Sequence, residues 1–283
     1  MILRPIRDTA ADAEAVREVA ASAFEGGAWD DRRTARFRRR VRHLAVTDPP
    51  GCWLAEEDGG RPVGAVLASR REGLWGLSLL AVAPGARGKG LGTQLLDRAL
   101  EYSRGTLRGM ICCTPHQAAA RVYHRAGFTL HPTMRLTGTV DAADVEVPDG
   151  PAVEGGPGQR ALMDSVDRRV RGSAHGPDHD ELLKHHRVIV ADDLAGSGYC
   201  YVSDEGVVGL LAATSRRIAV RLLSSALLSL PAGAAAVVRH LTAEQDWAVG
   251  VGLDAGLRLA HDGYLALRGM RPPAPYLPSP QFL

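Results

Sequence analysis

Hydrophobic and polar positions along this chain fall into two alternating styles, short β-type runs and helical stripes. Ile2 to Arg7 reads as a strand, about Ala11 to Phe24 as a capped helix, about Arg32 to Val46 as a basic helix, and Cys52 to Glu56 and Val63 to Arg70 as strands. Residues 77–96, LSLLAVAPGARGKGLGTQLL, then set an apolar strand, a glycine-rich basic turn and an amphipathic helix in direct succession. Leu91, Leu95, Leu96 and Ala99 recur at helical spacing and predict a helix seated on a sheet as far as about Ser103. A strand near Met110 and a helix carrying Tyr123, ending at Gly127, complete an α/β unit with a mixed sheet.

Apolar periodicity then stops. Residues 141–158, DAADVEVPDGPAVEGGPG, concentrate Pro, Gly and acids, which predicts a linker or long surface connection between residues 1–140 and 159–283. The second half reads as an eroded copy of the first. Leu210-Leu211-Ala212 lines up with Leu79-Leu80-Ala81, and Leu222-Leu223 with Leu95-Leu96, but four residues are missing from the intervening turn and TSRRIAVR keeps no glycine. Anchored on Gly256 and Gly127, Gly252 stands where the first half has Tyr123.

The glycine-rich turn is where chemistry is expected. The first amides of a helix have no internal partner and the helix dipole makes that end electropositive, so an anion docks there readily. Gly88, Gly90 and Gly92 remove side chains that would hold a pyrophosphate away, and Arg87 and Lys89 add positive charge. Lys89 lies among the glycines with no Gly-Lys-Ser/Thr ending, which excludes a Walker A loop, and GKGLG lacks the third glycine of a dinucleotide fingerprint. Arg87-Gly88-Lys89-Gly90-Leu91-Gly92, preceded by Val82-Ala83-Pro84, resembles motif A of the GNAT N-acetyltransferase superfamily. Residues 110–128 resemble the segment that follows it there, with Ala119, Val122, Tyr123, Gly127 and Phe128 in place and His116 where Asn is usual.

The resemblance implies an α/β (α+β) fold with a mixed, mostly antiparallel sheet flanked by helices, here in two tandem copies. The first would bind acetyl-CoA, with the cradle formed by Arg87, Gly88, Lys89, Gly90, Leu91, Gly92 and Thr93. Backbone groups of Leu80, Ala81 and Val82 would hold the pantetheine and acetyl carbonyl, with His116 and Ala119 alongside. Tyr123 would face the thioester sulfur, and a phenol with a pKa near 10 is protonated at neutral pH and able to donate to a departing thiolate. For the base that receives the amine proton, Glu72, His116, His124 and an ordered water are all open, with Glu72 the side chain singled out. The implied reaction is acetyl transfer to a primary amine of a small molecule, peptide or protein. A non-catalytic acyl-CoA sensor and a structural assembly protein are the alternatives.

Composition narrows the partners. The 283 residues are 45% hydrophobic and 23% charged with a net charge of +2, too small a field to argue for nucleic acid or membrane by itself. RRTARFRRRVRH, from Arg32 to His43, offers an acidic substrate or a nucleic-acid backbone a charged partner, but its positives lie all around a helix, which favours a solvated helix lining the acceptor groove. Cys52, Cys112, Cys113 and Cys200 show no metal spacing and read as reduced thiols of a cytoplasmic protein. His175, His179, His185 and His186 are read as no zinc site, on the expectation that they form no i, i+4 pair beside an acid, so no metal is expected. A homodimer is compatible with all of this. The proline-rich tail, RPPAPYLPSPQFL, is expected to run extended and pack back through Tyr276 and Phe282.

Overall fold

The computed structural model describes residues 1–24 and 29–283. The order is β1 (Ile2–Pro5), α1 (Ala10–Ala23), α2 (Asp31–Thr47), β2 (Cys52–Glu56), β3 (Pro62–Arg71), β4 (Leu74–Val82), α3 (Leu91–Glu101), β5 (Arg108–Cys113), α4 (Gln117–Arg125) and β6 (Thr129–Thr139). The same sequence of elements then returns as β7 (Val153–Glu154), α5 (Arg160–Val170), α6 (Asp178–Leu182), β8 (Arg187–Asp193), β9 (Gly196–Val202), β10 (Val207–Ala213), α7 (Arg216–Leu228), β11 (Ala235–Leu241), α8 (Asp246–Asp254) and β12 (Arg258–Arg268). β13 (Tyr276–Leu277) follows. The duplication read from a few leucines and glycines is therefore a duplication of the whole element order.

By contacts the chain divides into two compact units, residues 1–111 with 281–283, and residues 112–280. In the first, β1, β2, β3 and β4 pair antiparallel in succession and β5 joins β4 in parallel. Thr9 caps α1 by accepting from the Asp12 amide at 3.1 Å, and Asp30 caps α2 through the Arg33 amide at 2.6 Å. Leu91, Leu95, Leu96 and Ala99 bury the inner face of α3, and burial of three leucines contributes roughly 5–9 kcal/mol. Gly64 makes this approach close, because a Cβ there would run into Leu95 and Leu91. Fully buried Trp75 ties sheet to helix by donating from Nε1 to the Ala99 carbonyl at 3.1 Å.

In residues 112–280, β6 lies between β11 and β12, antiparallel to both, so the last strand of the first half is shared with strands of the second. This is why contacts divide the chain at a different place from the Pro/Gly-rich stretch 141–158. β10 pairs parallel with β11 and antiparallel with β9 and β13; β9, β8 and β7 continue antiparallel. Ile218, Leu222, Leu223 and Leu227 of α7 are buried with Leu136 of β6 in the core of this unit. The connection is itself tied down: Asp149 pairs with Arg217 and, at 2.8 Å, with buried Arg221, while Val145 enters the core. Among the described residues no helix is long and apolar enough to cross a membrane.

Candidate functional site

The first unit opens at one point of β4. Leu67 of β3 faces Leu79 while its neighbour Ala68 faces Leu77, so Ser78 is an extra residue, a β-bulge. The parallel pairing of β4 with β5 ends at Leu77 and Ile111, one residue before the bulge. Backbone groups of β4 from Ser78 to Val82 are thereby released from the ladder on that edge, as a ligand needs in order to hydrogen-bond to a strand. Leu80 and Val82 are half-buried between the buried Leu79 and Ala81.

Beyond Val82 a short 3-10 turn, Pro84–Ala86, leads into the glycines. Gly88 and Gly90 have φ of +77° and +81°, the left-handed region that side-chain-bearing residues rarely adopt, and both face open space. Gly92 differs: its missing Cβ would make only ordinary contact with Val82. Gly90 is the N-cap of α3 and supplies no side-chain cap, so the amides of Leu91, Gly92 and Thr93 point out unclaimed by the helix. The amides of Gly88, Lys89 and Gly90 donate to no backbone carbonyl among the described residues.

Three of the predicted residues are placed as follows. Arg87 donates from Nε to the Val82 carbonyl at 3.1 Å and from Nη2 to the Ala23 carbonyl at 2.6 Å, so it fastens the turn to β4 and to the end of α1. Lys89 lies against the Gly85 carbonyl at 3.4 Å and remains exposed. Glu72 sits in the tight turn between β3 and β4 with φ of +49°, and the start of β4 at Leu74 is already four strand residues, or roughly 13 Å, from the Ser78 bulge. The structure does not bring it to the opening, and the reason is topological: it precedes β4 at the wrong end.

Tyr123, on α4 in the second unit, is 5% exposed, and burial, with Cys113 beside it, pushes its phenol well above the ordinary value. It stays protonated across the physiological range, which is the state an acid needs. His116 is the exposed N-cap residue of α4 and half-buried Ala119 lies in its first turn. Cys113 donates to the Tyr264 carbonyl at 3.2 Å, and burial raises its pKa to about 12.

The corresponding places in the second copy are closed. Ser215 caps α7 by accepting from the Ile218 amide at 3.3 Å, and Thr214 Oγ1 accepts from the Ser197 amide at 2.9 Å. Gly252 of α8 has no room for a side chain, because Leu136 of β6 fills the position.

The expectation about the histidines is corrected. His175 and His179 are four residues apart, and with Asp167 they bring three potential ligand atoms within 4.8 Å, all buried. Asp167 Oδ2 accepts from His175 Nδ1 at 2.7 Å and His179 Nε2 at 3.1 Å, and Oδ1 accepts from Tyr199 at 2.5 Å. Burial alone would raise the Asp167 carboxyl; His175, then His179 and Arg171, overturn this and hold it well below the usual range. Arg171 also abuts His175 Nε2. A cation at this point would have to replace both imidazole protons beside a guanidinium, so the donor set fits a closed hydrogen-bond network and fits a metal poorly.

Two features escaped sequence reading, the Ser78 bulge and the sharing of β6, whereas the tail packs back through Tyr276 and Phe282 as expected. Tyr276 and Leu277 pair with β10, whereas Gln281, Phe282 and Leu283 belong to the first unit. There the Gln281 carbonyl accepts from Ser78 Oγ at 2.7 Å, Phe282 meets His43 of α2 edge-on at 5.6 Å, and Leu283 fills the space left by Gly76.

Residues 13–128 match the model of the acetyltransferase (GNAT) family. A mycothiol acetyltransferase from Beutenbergia cavernae is 38% identical over 94 residues, covering 29% of this chain and 29% of that protein, so the match spans less than a third of the relative's length. Among solved structures, a putative acetyltransferase from Pyrococcus horikoshii superposes with a TM-score of 0.73 at 18% identity, over 99% of this chain and 92% of that one. A tandem GNAT protein from the clavulanic acid biosynthesis pathway superposes with a TM-score of 0.60 at 14% identity, over 95% and 99%. Residues 13–128 thus match the GNAT acetyltransferase family model, and the chain as a whole has the fold of a tandem GNAT protein.

Proposed function

We propose that this protein transfers the acetyl group of acetyl-CoA directly to a primary amine of a small molecule or peptide. The observation that carries this reading is the pairing, on one strand and its following turn, of the Ser78 bulge with an uncapped α3 N-terminus reached through two left-handed glycines. The amides from Gly88 to Thr93 suit a pyrophosphate, and the freed backbone of Leu80 to Val82 suits a pantetheine arm and a thioester carbonyl. In the step itself the amine nitrogen attacks the thioester carbon, the C–N bond forms and the C–S bond breaks. The leaving thiolate takes a proton, a role that the motif resemblance gives to the Tyr123 phenol, and the new amide sheds its extra proton to water. No side chain is assigned as base, since Glu72 lies at the far end of β4.

We read residues 1–140 as the cofactor-binding copy, 141–158 as the connection and 159–283 as a copy that binds no CoA, with the closed α7 turn as support. A cytoplasmic setting follows as an expectation from the cosubstrate. Thiol release from acetyl-CoA, followed across a panel of primary amines, tests the activity, and calorimetry with acetyl-CoA alone tests the site. Binding of one acetyl-CoA per chain with amine-dependent thiol release is expected. Binding without release on any amine would favour a sensor, and the absence of binding would overturn the reading.

A further inference from the structure

On α2, Arg33, Phe37, Arg40 and Leu44 follow one another at helical spacing and form a single line from the exposed start of the helix to its buried end. Arg33 lies over the Trp29 ring at 4.3 Å, Trp29 meets Phe37 edge-on at 4.9 Å, and the Arg40 guanidinium lies over Phe37 at 4.7 Å. Arg40 differs from the arginines flanking it. Arg38 pairs with Glu14 at 2.5 Å and Arg42 with Asp8 at 2.6 Å, both exposed. Arg40 Nε is sealed from solvent and has no hydrogen-bond partner among the described residues, and no ion pair to Arg40 is formed by them. Burial pulls its guanidinium down to about 10, and no carboxylate among the described residues pulls it back. The residue as a whole is half-buried, so its outer guanidinium nitrogens are open to a ligand while the Nε shut against the aromatic face is costly until something completes the group.

The position says what that would be. His43, one helical turn or about 5 Å further along α2, meets Phe282 edge-on, and the preceding Gln281 is hydrogen-bonded to Ser78 at the bulge of β4. Arg40 is thus one turn of helix before the residue of α2 that meets the tail next to its contact with the bulge.

We propose that Arg40 is an acceptor-recognition residue, and that the amine this enzyme acetylates carries a carboxylate which Arg40 binds. The proposal rests on the acetyltransferase reading and names its substrate class. A carboxylate is favoured over a phosphate by charge and geometry. One planar guanidinium matches a monoanion through a bidentate pair, whereas a dianion calls for a second cation, and the nearby Arg38 and Arg42 are already committed to acids.

The test is a set of matched primary amines, amino acids against the same amino acids as carboxamides, with an aminoalkyl phosphate as a third arm. Both kcat/KM by thiol release and binding by calorimetry in the presence of CoA are measured on the full chain. Wild type should favour carboxylates over carboxamides by at least about tenfold, in keeping with a charge-assisted hydrogen-bonded pair. Arg40→Gln should bring that ratio to near one, through loss of carboxylate kcat/KM and binding, without changing acetyl-CoA affinity, and Arg40→Lys should restore only part of it. A wild-type ratio near one in turnover and binding, a ratio that survives Arg40→Gln, or preference for the phosphate would each overturn the assignment. Failure of the acetyltransferase reading is read separately: it is loss of acetyl-CoA binding in wild type, which Arg40 does not touch.

Discussion

The turn before α3 and the turn before α7 hold the same place in the element order and have opposite physical character. Before α3, Gly88 and Gly90 take left-handed conformations, Gly90 caps nothing, and the helix amides stay available. Before α7, the turn is four residues shorter, Ser215 caps the helix with its own oxygen, and Thr214 binds the Ser197 amide. A helix start can therefore be satisfied by its own sequence or kept open for a ligand. The second choice sacrifices roughly 1 kcal/mol of capping energy that only a bound anion restores.

The sharpest way to break this comparison is to close the open turn. Gly90→Asp should abolish detectable acetyl-CoA binding, a loss of at least about 10²-fold, because a carboxylate at the N-cap satisfies the α3 amides itself and repels the pyrophosphate. Gly90→Asn, which tolerates left-handed φ and carries no charge, should lose much less. Calorimetry on both, with melting curves to confirm folding, decides it; unchanged affinity in Gly90→Asp would remove the cradle from the site.

Next in size is the contrast between α4 and α8. Tyr123 is buried and held protonated, whereas the matching Gly252 is packed shut by Leu136. Tyr123→Phe should lower kcat by about 10²-fold with little change in acetyl-CoA affinity, as loss of a general acid predicts. A rate within about twofold of wild type would assign Tyr123 to packing.

What the sequence revealed and what it hid follow from the range of the signals. The α3 turn was legible because glycines and a helical stripe are local, and the tandem order because apolar periodicity is local too. Ser78 gave no sign of its bulge, since a bulge is a relation between two strands, here Leu67 with Leu79 and Ala68 with Leu77. β6 pairs with β11 about a hundred residues away, a match that no spacing rule reaches. Arg87 shows the limit in chemistry: its charge was visible, but its destination, the Val82 and Ala23 carbonyls, was not.

The units also differ in buried histidines. Among the described residues, those of the first unit bury none, while the second unit buries His175, His179 and His240, and burial lowers His175 and His240 to about 4, with Arg171 adding to the effect at His175. The unfolded chain takes up these protons as the pH falls through about 6.5, but the folded chain resists until about 4. Stability should therefore fall as pH is lowered from 6.5 to 4, by about 1.4 kcal/mol per pH unit for each histidine. Chemical denaturation of the full chain across that range reads the slope. His240→Asn, which suits the left-handed φ of +60° at that position, should remove about one proton from it, and a slope unchanged by the substitution would remove His240 from the account.

The smallest effect expected is at the closed turn itself. Ser215 both accepts from the Ile218 amide at 3.3 Å and donates to the Ala195 carbonyl at 2.9 Å, so Ser215→Ala takes away a cap and a second hydrogen bond at once. Losses of this kind are worth about 1 kcal/mol, which lowers the melting temperature of a domain of this size by about 2–4 °C. Acetyl-CoA affinity and the stoichiometry of one per chain should not move, because uncapping α7 exposes amides without supplying the glycines that let a pyrophosphate approach. Melting curves and calorimetric titration of the same preparation give both quantities. Were Ser215→Ala to raise the stoichiometry toward two, the α7 turn would be a cradle blocked by one side chain, and the contrast between the two helix starts would reduce to that serine.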